Sequence, residues 1–256
     1  MMRSLRSKLV HQRPRGPRTP LGPALLIMLF AAACVGGSPK AESTAAVASP
    51  PTKQPWIKEF DFSGRKLATT GEARYFVLRP GFQLVLGSAT EQLTITVLDE
   101  TREIGGVTTR VIEEREQKRG SLAEVSRNFF AIDSQSGDAF YFGEEVEMYS
   151  GGVLTAHAGA WLAFEGDNRP GMIMPGSPKV GMRYYQELAP GVAMDRARVI
   201  SVSETISTRA GDFTDCLLTQ ESSELEPGVV EYKTYCPGIG LVQDQALTLL
   251  SAKDVP

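Results

Sequence analysis

The sequence predicts an all-β protein: a single curved antiparallel meander sheet, in the form of a half-barrel or an incomplete barrel. Three observations lead there. Apolar and polar residues alternate over many short stretches, as in strands with one buried face. Six Pro-Gly pairs, beginning at Pro80, Pro170, Pro175, Pro190, Pro227 and Pro237, interrupt any long helix. Successive stretches are joined by short turns, and short turns favour antiparallel neighbours because parallel pairs need long crossovers.

The elements follow in order. Arg74–Leu78 passes through Arg79-Pro80-Gly81 into Phe82–Leu86. Proline presets a negative φ and glycine accepts a positive one, which suits a turn. Gln92–Leu98 places Leu93, Ile95 and Val97 on one face. Val107–Arg115 turns at Lys118–Ser121 into Leu122–Ile132, and Asp133–Asp138 turns again into Ala139–Gly143. Val153–Phe164 follows a Gly-Gly pair. Met182–Leu188, Arg196–Thr208, Phe213–Glu221, Val229–Cys236 and Leu241–Leu250 complete the strands. The one helix candidate is short, near Gly191–Arg198. A meander of this length must curl or cover its edges. Glu165–Pro178 reads as a loop folding over its mouth. Phe129, Phe130, Phe140, Phe142 and Trp161 are the candidates to line an apolar cavity inside the curve; the competing reading packs them as plain core.

The chain has 256 residues, 42% hydrophobic and 22% charged, with a formal charge of −3. That composition excludes a disordered chain, a collagen and a disulfide-dense miniprotein. Residues 1–33 hold six basic residues and no acidic one, ending in the apolar run Ala24–Ala33. Ten apolar residues make about 15 Å of helix, too short to cross a membrane core of about 30 Å. A basic start, a short apolar run and small residues at its end make a secretory signal peptide. Ala31-Ala32-Ala33-Cys34 resembles the bacterial lipobox, with Ala31 where leucine is usual. The resemblance implies cleavage before Cys34 and acylation of its thiol and new amine. It implies a protein held by its acyl chains on the outer membrane's periplasmic face or surface if the source is diderm, and otherwise on the outer face of the cell membrane. The other reading is an ordinary Ala-x-Ala cleavage with a stray cysteine. Residues 34–55 then form a tether poor in apolar groups, with a reach of about 25 Å, and the β domain spans 56–256.

Cleavage removes six of 27 basic residues and none of 30 acidic ones, which leaves 21 against 30, or −9. An acidic domain is repelled by nucleic acid and anionic headgroups, so nucleic acid is excluded as a partner and the acyl chains supply membrane attachment. Cys216 and Cys236 remain, in a compartment that permits disulfides. A five-residue loop at Glu224–Gly228 sets them opposite each other, whereas a two-residue Pro227-Gly228 turn sets them three positions out of step.

Catalytic signals are sparse. Cleavage leaves His157 as the single histidine, and no nucleophile elbow, P-loop or dinucleotide fingerprint is present. No cofactor or metal site is expected. Glu113, Glu114, Glu116 and Glu144, Glu145, Glu147 cluster, and alternation puts Glu114 with Glu116, and Glu145 with Glu147, on one side. They read as a solvated outer face paired with Arg110, Arg115, Lys118 and Arg127; the sharper reading is a carboxylate pair for glycoside hydrolysis. Asp133–Asp138 reads as a hairpin turn, since its glycine is misplaced for a calcium loop.

Phe140–Glu144, Arg169–Pro175, Pro178–Gly181 and Tyr235–Val242 resemble the motifs of an uncharacterised family of exported bacterial β-proteins, over about residues 70–250. Members commonly read Tyr-Ala-Pro-Gly-Val-Gly-Leu where Cys236 stands here, so the resemblance does not carry the disulfide. It implies an exported β domain and is silent on chemistry. The strand grammar is more distantly similar to periplasmic lipoprotein carriers. The expected function is a non-catalytic envelope module binding an apolar ligand or lipid. The alternatives are a structural or assembly partner of another envelope protein, and a carboxylate-dependent envelope hydrolase.

Overall fold

The computed structural model describes residues 54–256; the expected signal, Cys34 and all but the end of the tether lie outside the described residues. Among the described residues there are strands and no helix: β1 (Leu67–Ala68), β2 (Glu72–Ala73), β3 (Phe76–Val77), β4 (Phe82–Gly87), β5 (Glu91–Ile104), β6 (Val107–Lys118), β7 (Ser121–Asp133), β8 (Ala139–Ser150), β9 (Val153–Ala156), β10 (Trp161–Leu162), β11 (Gly171–Met174), β12 (Arg183–Tyr185), β13 (Asp195–Thr208), β14 (Gly211–Ser223), β15 (Glu231–Cys236), β16 (Gly240–Asp244) and β17 (Leu247–Asp254). Fifteen of them form one sheet. Its main path is β10-β8-β7-β6-β5-β4-β17-β16-β15-β14-β13-β12. Two meanders, β4–β8 and β12–β17, therefore meet where β4 lies antiparallel to β17, from Phe82↔Asp254 to Gly87↔Thr248. The path ends at β10 and β12 without joining them, so the sheet is an open curve and not a closed barrel.

Alternation and turn residues account for most of this. Four departures have local causes. The expected strand Leu241–Leu250 is two strands, because Gln245 adopts a positive φ of 52° and Asp244 pairs with Leu247 across a two-residue turn. No glycine or proline marks that turn. Val153–Phe164 divides into β9 and β10 around Gly159, with a φ of 99°. The expected loop 165–178 contains β11, which pairs with β8 and is fully buried. The helix candidate at Gly191–Arg198 is a turn running into β13.

The sheet is covered on both faces at its centre. Phe140 and Phe142 stand on the outer face, where Phe62 packs on both rings at 4.9 and 5.8 Å and Phe60 on Phe140 at 5.8 Å. Arg65 clasps the turn after β7 through Asp133 at 2.9 Å and Asp138 at 3.1 Å. The Asp133–Asp138 segment is thus an ion-paired hairpin turn. Trp56 lies edge-on to Tyr185, under the guanidinium groups of Arg183 and Arg196.

In the hairpin of β14 and β15, Leu217 faces Tyr235 and Thr219 faces Lys233. This is the register of the longer loop. It sets Cys216 against Cys236, and the two form a disulfide. The closed loop contributes about 3 kcal/mol on the chain-entropy model.

Candidate functional site

The inner face of the curve is built from two halves, both carrying buried carboxyl groups, that meet around one buried cation. On β6 the even positions Ile112, Glu114 and Glu116 are buried. Their neighbours on β7, Asn128, Ser126 and Glu124, share that face. β8 reaches it through a bulge: Asn128 pairs with Glu144, but Phe130 pairs with Tyr141. One extra residue brings both Tyr141 and Glu144 inward, which simple alternation would forbid. Gly143, at a φ of 132°, makes this feasible. A Cβ there would lie 2.3 Å from the Trp161 carbonyl oxygen of β10.

Opposite stand β14, β15 and β16. The Lys233 ammonium is 2% exposed and sits 3.2 Å from Glu221 Oε2 and 3.7 Å from Asp244 Oδ2. Glu221 Oε1 accepts hydrogen bonds from Thr219 Oγ1 at 3.0 Å, Tyr235 Oη at 3.2 Å and Gln186 Nε2 at 3.3 Å. Two pairs of carboxylate residues are directly opposed on this face, Glu116 with Glu124 and Glu221 with Glu231. Like charges in that position repel.

Burial sets the protonation. It pushes the Glu114 carboxyl up to about 8, against the pull of Lys233 and with the push of Glu116 and Asp244. It pushes Glu116 up to about 7 and Glu231 up to about 6. Burial alone would lower Lys233, but Asp244, Glu221 and Glu231 outweigh it and raise its pKa. The lysine is held as a cation.

Between the halves lies a cavity of about 70 Å³ with a mainly apolar lining. Phe76, Val77, Leu84, Ile95, Val97, Phe130, Ile173 and Tyr235 form its walls, and Glu114, Lys233 and Asp244 reach it.

Of the aromatics expected to line a cavity, Phe130 does so. Phe129 lies under the Arg102 guanidinium and Phe140 and Phe142 under Phe62, all on the opposite face, because adjacent strand residues alternate. Trp161 packs edge-on to Tyr141 at 5.5 Å, outside the cavity lining. The expectation that Glu114 and Glu116 lie on a solvated face is corrected. They are buried inside, and the alternate residues face out: Glu113 with Arg115 at 3.6 Å and Arg127 at 3.7 Å, Glu145 with Arg102, Glu147 with Tyr149. Arg110 also departs from that face. It is buried and donates to the Thr69 carbonyl and to Asp99. His157 Nδ1 lies 2.6 Å from the Val146 carbonyl oxygen, a structural contact. Ile173 and Met174 of β11 were missed as lining residues. Their segment, Gly171-Met172-Ile173-Met174, is too short to show a period, although four apolar or small residues between Pro-Gly pairs mark a buried piece. Comparison with known proteins found no matching family model, no matching curated protein and no matching solved structure.

Proposed function

We propose that this chain is a non-catalytic cell-envelope module, anchored through acyl chains on Cys34, whose curved sheet holds a ligand by an apolar group. The observation that carries the binding reading is the apolar cavity between the two halves of the sheet, with Glu114 on one half and Lys233 and Asp244 on the other as its charged lining. The anchor rests on the lipobox-like run before Cys34 and on the acidic balance of the domain, which leaves acyl chains as the means of attachment.

Two measurements test it. Native mass spectrometry of protein purified without detergent stripping should reveal a co-purified small molecule. Ile173→Trp, which fills the cavity from β11, should displace it while leaving the circular-dichroism spectrum unchanged. A folded wild-type domain that carries no ligand, and takes up none from a lipid extract, would overturn the binding reading. For the anchor, Cys34→Ala should move the protein from the membrane to the soluble fraction and abolish metabolic labelling with palmitate. Retention of both in the variant would overturn it.

A further inference from the structure

The apolar cavity carries Glu114 and Asp244 in its lining, and the carboxyl groups behind them make an acidic wall that bears on what the other end of a ligand must be. Glu114 is 7% exposed, lines the cavity, and its Oε2 atom is buried without a hydrogen-bond partner. Glu116 is buried beside it on the same strand face. Glu124 stands opposite Glu116, and Glu144 shares the face one strand further on. Across the cavity Glu221 and Asp244 are already engaged by Lys233. That lysine offsets the far side, and Glu114 faces the cavity with one oxygen unused. A buried carboxylate without a partner is costly, so in the empty domain Glu114 keeps its proton, and a cation that displaces that proton supplies the missing partner. No group of three of these residues converges on a metal-binding position among the described residues. Spread carboxylates suit an organic cation, whose N–H groups or diffuse charge can meet several acceptors in turn.

We propose that the ligand is a small organic cation, an alkylammonium or alkylguanidinium, with its positive group against Glu114 and Glu116 and its short apolar part in the cavity. This rests on the reading that the cavity binds an apolar group, and deepens it by fixing the sign of the head. An anion is disfavoured by the same wall, although Lys233 is near, because that ammonium already has two carboxylate partners.

The test uses three probes of equal chain length: hexylammonium, hexanol and hexanoate. Each is titrated into the wild-type domain and followed by amide NMR shifts. Hexylammonium should bind at least about tenfold tighter than the other two, as expected for a charge-assisted contact. The preference should collapse in the double variant Glu114→Gln, Glu116→Gln, while hexanol still shifts the amides around Phe130 and Ile173; that arm shows the cavity intact. Hexanol or hexanoate binding as tightly as hexylammonium would overturn the cationic head and leave the apolar reading standing. Failure of all three probes to shift residues around Phe130 and Ile173 would overturn both. Ile173→Trp should weaken all three.

Discussion

The domain should melt at a lower temperature near pH 8.5 than near pH 6, and Glu114→Gln should remove most of the difference. The sign follows from the direction of the shift. Burial raises the Glu114 carboxyl from 4.5 to about 8 and the Glu116 carboxyl to about 7. Between those limits the folded state binds protons that the unfolded chain has released. The stabilisation is complete below about pH 4.5 and is lost as pH rises through 7 and then 8. Each unit corresponds to about 1.4 kcal/mol, so the two units between pH 6 and the Glu114 value of about 8 correspond to about 3 kcal/mol. In a domain of this size that is roughly 10 °C. Asp133 works in the opposite sense at the acid end. Its own burial opposes ionisation, but hydrogen bonds from Gln135, Ser136 and Arg65 prevail and hold its carboxyl below the usual range, so its contribution is lost as pH falls through that lowered value. The stability maximum therefore lies in the mildly acid range. Calorimetric melts across that span, on wild type and Glu114→Gln, measure it. A wild-type melting temperature that stays flat or rises towards pH 8.5 would show that Glu114 is ionised in the folded state.

Lys233→Met should cost about 3–5 kcal/mol, the largest single effect expected in the molecule. The ammonium is buried between Glu221 and Asp244, and methionine matches its stem while removing its charge. The loss is not the strength of the ion pair. It is the cost of leaving two carboxylates in a site from which water is excluded. The triple variant Lys233→Met, Glu221→Gln, Asp244→Asn should recover most of it, because glutamine keeps the oxygen that accepts from Thr219, Tyr235 and Gln186. Urea denaturation of wild type, the single variant and the triple variant reads both numbers. A single variant within about 1 kcal/mol of wild type would mean that the carboxylates find other partners or protons freely.

The sequence made the strands legible because alternation and turn chemistry act locally. Leu93, Ile95 and Val97 share a face in the structure as the pattern required. Alternation divides a strand into two faces but does not say which one is inside. Charge usually faces water, so the pattern alone points Glu114 and Glu116 outward. Their inward placement goes with Ile112 and Val97, one step along the same face, and with the nearby charge of Lys233, more than a hundred residues away. No local rule connects those positions. The bulge at Gly143 is a similar case. Its consequence, Tyr141 and Glu144 on one face, changes the lining of the site, and a lone glycine in a strand marks the place without stating the outcome.

The pairing of β4 with β17 has a consequence for how the molecule is made. Each meander is assembled from hairpins between neighbours in sequence, and those can close as soon as their residues are present. The seam between them joins Phe82 to Asp254 and so waits for nearly the whole domain. Entropy is a weak obstacle, since closure cost grows only with the logarithm of loop length. Order of arrival is the stronger one. A chain emerging from its amino end has two half-sheets, each with an exposed rim of unpaired amides and carbonyls, until Leu247–Asp254 come free. During that interval the rims of separate copies can pair with each other as well as with their own partners. A holding factor that covers the edge of β4 would protect the chain at the stage when it is most exposed.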